Sequence, residues 1–212
     1  MNNKSEHIYT KDIFRIRKSI VDYILKKNVD FPSQIFKKEY KYFKFIDFDE
    51  IFSKDFYNYF SNYAKELGID WFTFYTLDPN PEDYFYKFFK KFSVIDFKVN
   101  EGHDSFLSKL HDSPNEEPNS PDALIFNSNK ILLFCENLDL FIYGNRDEEL
   151  AIVVSNNRNV FETFVNDYPN DSICNVEECV EHLLGLKFNS IKFEEEDFSF
   201  YEKLITNYEN SF

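Results

Sequence analysis

The chain has 212 residues, 43% hydrophobic and 20% aromatic, with 27 Phe and 14 Tyr against one Trp and four Gly. That is enough apolar material for the core of one large domain, and no apolar run approaches the roughly 18 residues of a membrane span. The net charge of −14 is unevenly spread: residues 1–100 carry 17 Lys/Arg against 15 Asp/Glu, and residues 101–212 carry 7 against 23. An acidic half repels nucleic acid and anionic membranes and attracts basic partners. The same charge also serves plain solubility. Abundant Phe, Tyr, Asn, Lys and Ile fits an AT-rich coding genome as well as it fits a functional need for aromatics. Three Cys (Cys135, Cys174, Cys179) form no paired framework, so reduced thiols and a cytoplasmic setting are expected. The first residues lack the apolar core of a signal peptide.

In chain order, Thr10 caps a predicted helix to about Asn28, with Ile13, Ile16, Ile20 and Ile24 on one stripe and Phe14, Val21 and Leu25 beside it. Phe31-Pro32 breaks the chain. Glu39 to Phe48 reads as a strand, and Ser53 starts a helix to about Leu67 that Gly68 stops. Ile69 to Leu77 alternates as a strand, with Trp71, Thr73 and Tyr75 on one face and Phe72, Phe74 and Thr76 on the other. Asn80-Pro81 opens a helix to about Phe92, and Ser93 to Val99 is a further strand. Residues 111–121 hold three Pro and are expected to be exposed and mobile, a linker or a flap beside the sheet.

From Asp122 to Ser155 four short apolar runs (Leu124–Phe126, Ile131–Phe134, Leu138–Tyr143, Leu150–Val154) alternate with short polar connectors. Connectors this short join neighbours, which predicts an antiparallel meander of three or four strands at the centre of the sheet. Helices are predicted over Asn156–Tyr168, Asn175–Leu186 and Glu195–Asn210. Phe188 to Phe193 fits neither period. The fold class is therefore α+β: a largely antiparallel sheet, with the meander at about 122–155, covered by amphipathic helices. Residues 1–212 form a single domain, with the 111–121 loop as the one place for a subdivision.

No catalytic or cofactor signature stands out, and no cofactor is expected. The glycines are isolated, there is no G-x-S-x-G elbow, and Cys135 sits in an apolar strand where a thiol is inert. His103 and His111, eight apart, fit exposed polar residues far better than a metal pair. The run from Glu194 to Asp197 suits the positive end of the last helix. Gly144, Asn145 and Asp147 follow from turn chemistry. That leaves the carboxylates of two meander connectors, Glu136 and Asp139 on one and Asp147, Glu148 and Glu149 on the other, as the candidate partner-binding residues.

An acidic, aromatic-rich α+β chain of this kind resembles, in general style, the bacterial toxin-immunity proteins, which bind and block a cognate and often basic toxin. The resemblance rests on no diagnostic motif and assigns no residue. It implies a non-enzymatic protein-binding module whose acidic half docks a basic protein. The alternative is an enzyme or small-ligand protein with an aromatic pocket beside the sheet and the His103–His111 segment as a lid.

Overall fold

The computed structural model describes residues 7–8, 10–115, 117, 120–169, 171–188 and 195–209, and side chains at 185–188 and 195–197 are not among those described. The elements are α1 (Lys11–Ile24), β1 (Tyr42–Asp47), a 3₁₀ turn (Asp49–Phe52), α2 (Lys54–Glu66), β2 (Trp71–Asp78), a π-helical turn (Pro81–Tyr86) running into α3 (Lys87–Phe89), β3 (Val94–Lys98), α4 (His103–Leu110), α5 (Leu124–Asn127), β4 (Lys130–Cys135), β5 (Leu140–Asn145), β6 (Leu150–Ser155), α6 (Arg158–Asp167), α7 (Val176–Phe188) and α8 (Glu195–Tyr208). The fold is α+β. The predicted ambiguity at 188–193 falls almost wholly outside the described residues.

One six-stranded sheet runs β1-β6-β5-β4-β2-β3, and every neighbouring pair is antiparallel. The meander β4-β5-β6 fills the middle. It slots between β1 and β2, which precede it in the chain, so strands from both sides of residues 111–121 share one sheet. Phe72 to Asp78 pairs with Cys135 to Lys130 across that join.

Both faces of the sheet are covered. Ile131, Leu133, Ile142 and Val153 meet α2, α4 and α6, whereas Leu132, Phe134, Phe141, Ile152 and Val154 meet α1, α7 and α8. This explains why KILLFC, LFIYGN and LAIVVS read as continuous apolar runs rather than alternating ones: a strand buried on both faces has no solvent side to spare for polar residues. Trp71 and Tyr75 on one face of β2, and Phe72 and Phe74 on the other, divide between the two layers as their alternation requires.

Both outer edges are blocked. On β1, Phe45 exchanges backbone hydrogen bonds with Cys174 (2.8 and 2.9 Å). On β3, Ile8 N donates to the Val94 carbonyl (3.0 Å), Lys109 Nζ to the Asp96 carbonyl (3.3 Å), and Glu101 caps the Lys98 N–H. Such blocking limits the template for adding a foreign strand.

Several expectations are corrected. Leu124–Phe126 is a helical turn: the Ala123 carbonyl accepts from Phe126 N (3.0 Å) and Asn127 N (2.9 Å), and the Arg146 guanidinium takes the Ile125 carbonyl at 2.7 Å. The meander thus has three strands. In α1 the buried residues are Phe14, Val21 and Ile24, and Ile13 and Ile16 face solvent at 44% and 56% exposure. The helix turns this way because Phe14 stacks on Phe92 at 3.7 Å and Arg17 clamps Asp96 with two bonds of 3.0 and 2.7 Å. The helix expected to reach Phe92 ends at Phe89, where Lys90 turns left-handed (φ 60°) and frees Phe92 to bridge Ile8. On α8, Phe198 is half exposed. The 111–121 loop is not simply exposed: Ser113 and Ser120 are buried, and the Asp112 carbonyl lies 3.1 Å from Nε2 of buried His7.

Gly144 lies inside β5, and its reason is space rather than turn geometry. A Cβ there would sit 2.8 Å from two Phe48 ring carbons and 3.2 Å from Ile131 Cγ1. Gly144→Ala is expected to destabilise the protein by about 1–3 kcal/mol, read by urea unfolding, because Phe48 is pinned beneath the Arg146 guanidinium at 5.0 Å and cannot retreat freely. An unchanged midpoint would show that the ring yields.

An acidic cleft at one end of the sheet

The two connectors singled out from the sequence lie at opposite ends of the meander. Glu136 and Asp139 follow β4, and Asp147, Glu148 and Glu149 follow β5, six residues and about 20 Å of strand away. They form no joint site. Glu136 accepts from Asp70 N at 2.7 Å, and Asp139 is held in a local loop by Asn137 Oδ1 (3.2 Å) and Ser155 Oγ (2.6 Å). The other connector is shaped by backbone: Glu149 N donates to the Arg146 carbonyl (3.0 Å), the Glu149 carbonyl accepts from Phe48 N (3.1 Å), and Asp147 N donates to Asn145 Oδ1 (3.0 Å). None of these bonds uses the Asp147 or Glu149 carboxylate.

Glu149 instead joins carboxylates that no sequence spacing announces. A cleft of about 320 Å³ opens beside β1 and α7. Asp47, Glu50, Glu149, Asp171 and Glu178 line it over a floor that includes Phe45, Leu150, Cys174 and Leu183. No Lys or Arg is among its lining residues, and His182 is the one lining group able to take a positive charge. Four chain segments meet here because β1 pairs with β6 across about a hundred residues, and because the Phe45–Cys174 bridge brings the start of α7 to the sheet edge.

The local wiring leaves acidity in place. Asn175 and Glu178 form a reciprocal cap at the start of α7, each side chain accepting from the other's N–H at 2.9 Å. Besides Glu149, that Asn-x-x-Glu pattern is the one local signal of the site that the sequence carries. Glu50 lies 3.4 Å from both Ser53 Oγ and the Tyr168 hydroxyl, and burial together with Glu50 pushes the Tyr168 phenol up, keeping it neutral. Cys174 and Cys179 touch at the floor. The hydrogen bond from Cys179 lowers the Cys174 thiol, and the same bond and burial raise Cys179. Burial raises Cys135 as well, and the thiol is enclosed in β4.

A second polar knot sits on the face of the sheet that α1 and α8 cover. Asp30 reaches onto the sheet, accepts from the Tyr143 hydroxyl (2.7 Å), Asn145 Nδ2 (3.1 Å) and Phe31 N (2.9 Å), and pairs with Lys130. It borders a cleft of about 640 Å³ that Lys18, Lys26, Lys27, Asp22 and Asp78 also line. Here cations and carboxylates largely cancel, and each member of the knot already has a partner.

The His103–His111 segment is α4, packed on the core through Phe106 and Leu110. His103 opens α4 and His111 closes it, about 12 Å apart along the helix, with His111 against the Phe126 ring. Among the described residues no group of three or more His, Cys, Asp and Glu is placed to hold a metal ion, and no helix is long and apolar enough to cross a membrane. Comparison of the chain with protein-family models, with curated proteins and with solved structures finds no match.

Proposed function

We propose that this chain is a non-enzymatic protein-binding module that takes a basic segment of its partner into the acidic cleft. The carrying observation is the lining itself: five carboxylates without a Lys or Arg, above an apolar floor. An Arg or Lys side chain suits such a place, with its stem on Phe45 and Leu150 and its charged head among the carboxylates. The acidic C-terminal half adds a long-range field that speeds the approach of a basic partner. An immunity-type inhibitor facing a basic toxin would use this chemistry.

The test is fluorescence anisotropy with a short Arg- and Leu-containing peptide as probe. The triple variant Glu50→Gln/Glu149→Gln/Asp171→Asn should weaken binding about tenfold or more. The control Glu136→Gln/Asp139→Asn/Glu202→Gln, which removes the same three charges elsewhere, should change it less than about threefold. Equal losses in both would reduce the effect to net charge and remove the cleft from the interface.

A further inference from the structure

We propose that the cleft between α2 and the start of α4 binds a phosphate-type oxyanion, either free or as a small phosphomonoester. It measures about 310 Å³, and Asn58, Ser61, Asn62, Lys65, Asn100 and His103 line it. In a chain of net charge −14 it has no carboxylate in its lining, whereas the acidic cleft, the cleft beside Asp30 and one by Arg17 and Trp71 each carry two or more.

Three features converge there. Asn58, Ser61, Asn62 and Lys65 recur at three- and four-residue spacing, so one face of α2 presents hydroxyl, amides and ammonium side by side. Across from it, α4 begins at Gly102, which has φ +86° and supplies no side-chain cap, and a Cβ at Gly102 would meet nothing within 4 Å. The first-turn N–H groups and the positive end of the eight-residue helix are therefore open to an acceptor. The helix start is fixed in place by the Tyr57 hydroxyl, which accepts from Gly102 N at 2.9 Å and donates to the Val99 carbonyl at 3.2 Å.

The third feature is independent of the helix end. Ser61 is 3% exposed and its Oγ has no hydrogen-bond partner, and His103 Nε2 is likewise buried and unpartnered. A buried polar atom without a partner is destabilising, and two beside one cleft mark a place where an acceptor belongs. Lys65, Ser61, the Asn amides, the helix N–H groups and the His103 ring can all donate. An acceptor-only group carrying one or two negative charges matches that set. Asp104, the acidic residue of the first turn, is fully exposed and does not line the cleft; its carboxylate lies 3.2 Å from Nδ1 of His103, on the other side of the ring from Nε2, and the nearby Glu101 is neutralised by Lys109 at 2.7 Å.

The experiment is a titration of the full chain with inorganic phosphate and, separately, glycerol 3-phosphate, followed by calorimetry and ³¹P line broadening. Saturable binding is expected. It should weaken about tenfold in Ser61→Ala and in Lys65→Met, and stay unchanged in Lys54→Met at the far end of the same helix. Without phosphate, Ser61→Ala should melt no lower than wild type, because the hydroxyl it removes has no partner; this separates lost binding from lost folding. Tighter binding of glycerol 3-phosphate than of phosphate would assign the site to an organic phosphate, and equal or weaker binding to the free ion. No saturable binding of either probe, or equal affinity in Ser61→Ala, Lys65→Met and wild type, overturns the proposal.

Discussion

Phe72→Ala is expected to lower the unfolding free energy by about 3–5 kcal/mol, among the largest losses any single truncation in this chain should cause. Phe72 is fully buried, stacks on Phe97 at 5.2 Å, and meets Phe60 edge-on at 4.9 Å. Phe74 and Phe106 complete the cluster at 6.2 and 6.4 Å. These rings come from β2, β3, α2 and α4, so no single element can slide in to fill the void. The neighbouring Trp71→Ala should cost only about 1–2 kcal/mol. Trp71 is half-buried, and its loss mainly uncovers the Arg17 guanidinium stacked on it at 4.0 Å. Urea unfolding of both variants checks the pair. A Trp71→Ala loss as large as that of Phe72→Ala would mean that both faces of β2 are equally load-carrying at this end.

Asp30→Ala should cost about 2–3 kcal/mol at neutral pH, because it strands Lys130, the Tyr143 hydroxyl and Asn145 together; the figure is held down by the pair's partial exposure to water. Burial by itself would raise the Asp30 carboxyl. The hydrogen bonds from Lys130 and Tyr143 outweigh it and hold the group below its ordinary value of 3.8. Its ionised form is thus the one that stabilises the fold. That contribution is complete above the unfolded value and fades as pH falls through 3.8 toward the lower folded value. The stability gap between wild type and Asp30→Asn should be widest at pH 7 and shrink below about pH 4. A gap that stays constant from pH 7 to pH 3 would show that Asp30 acts by shape alone.

Elements whose pattern was local were legible in the sequence. β2, β3 and the meander strands stand out as β-branched and aromatic runs between turn residues, and the Ser53 cap marks α2. The misread elements were decided by distant contacts. The stripe Ile13–Ile16–Ile20–Ile24 has a sound helical period, yet Phe92 and Asp96, some eighty residues away, rotate α1 so that Phe14 is buried and Ile13 and Ile16 face solvent, while Ile20 and Ile24 still pack on the core. Gly144 looked like turn chemistry because its crowding by Phe48 depends on the β1–β6 pairing and the turn after it. The candidate carboxylates are spread apart for the same reason. Of the five connector carboxylates, Glu149 alone lines the acidic cleft. Asp47, Glu50, Asp171 and Glu178 join it through topology, which spacing along a chain does not encode.

The central claim is that the acidic cleft, rather than acidity in general, holds the partner. Its most direct test is capture from source-cell lysate at low salt, on three immobilised baits: wild type, the Glu50→Gln/Glu149→Gln/Asp171→Asn variant, and the Glu136→Gln/Asp139→Asn/Glu202→Gln control. The account predicts one basic protein, released by a salt step, on wild type and control and absent from the cleft variant. Retention on the cleft variant with loss on the control would contradict it and move the interface to the Glu136–Asp139 end of the sheet.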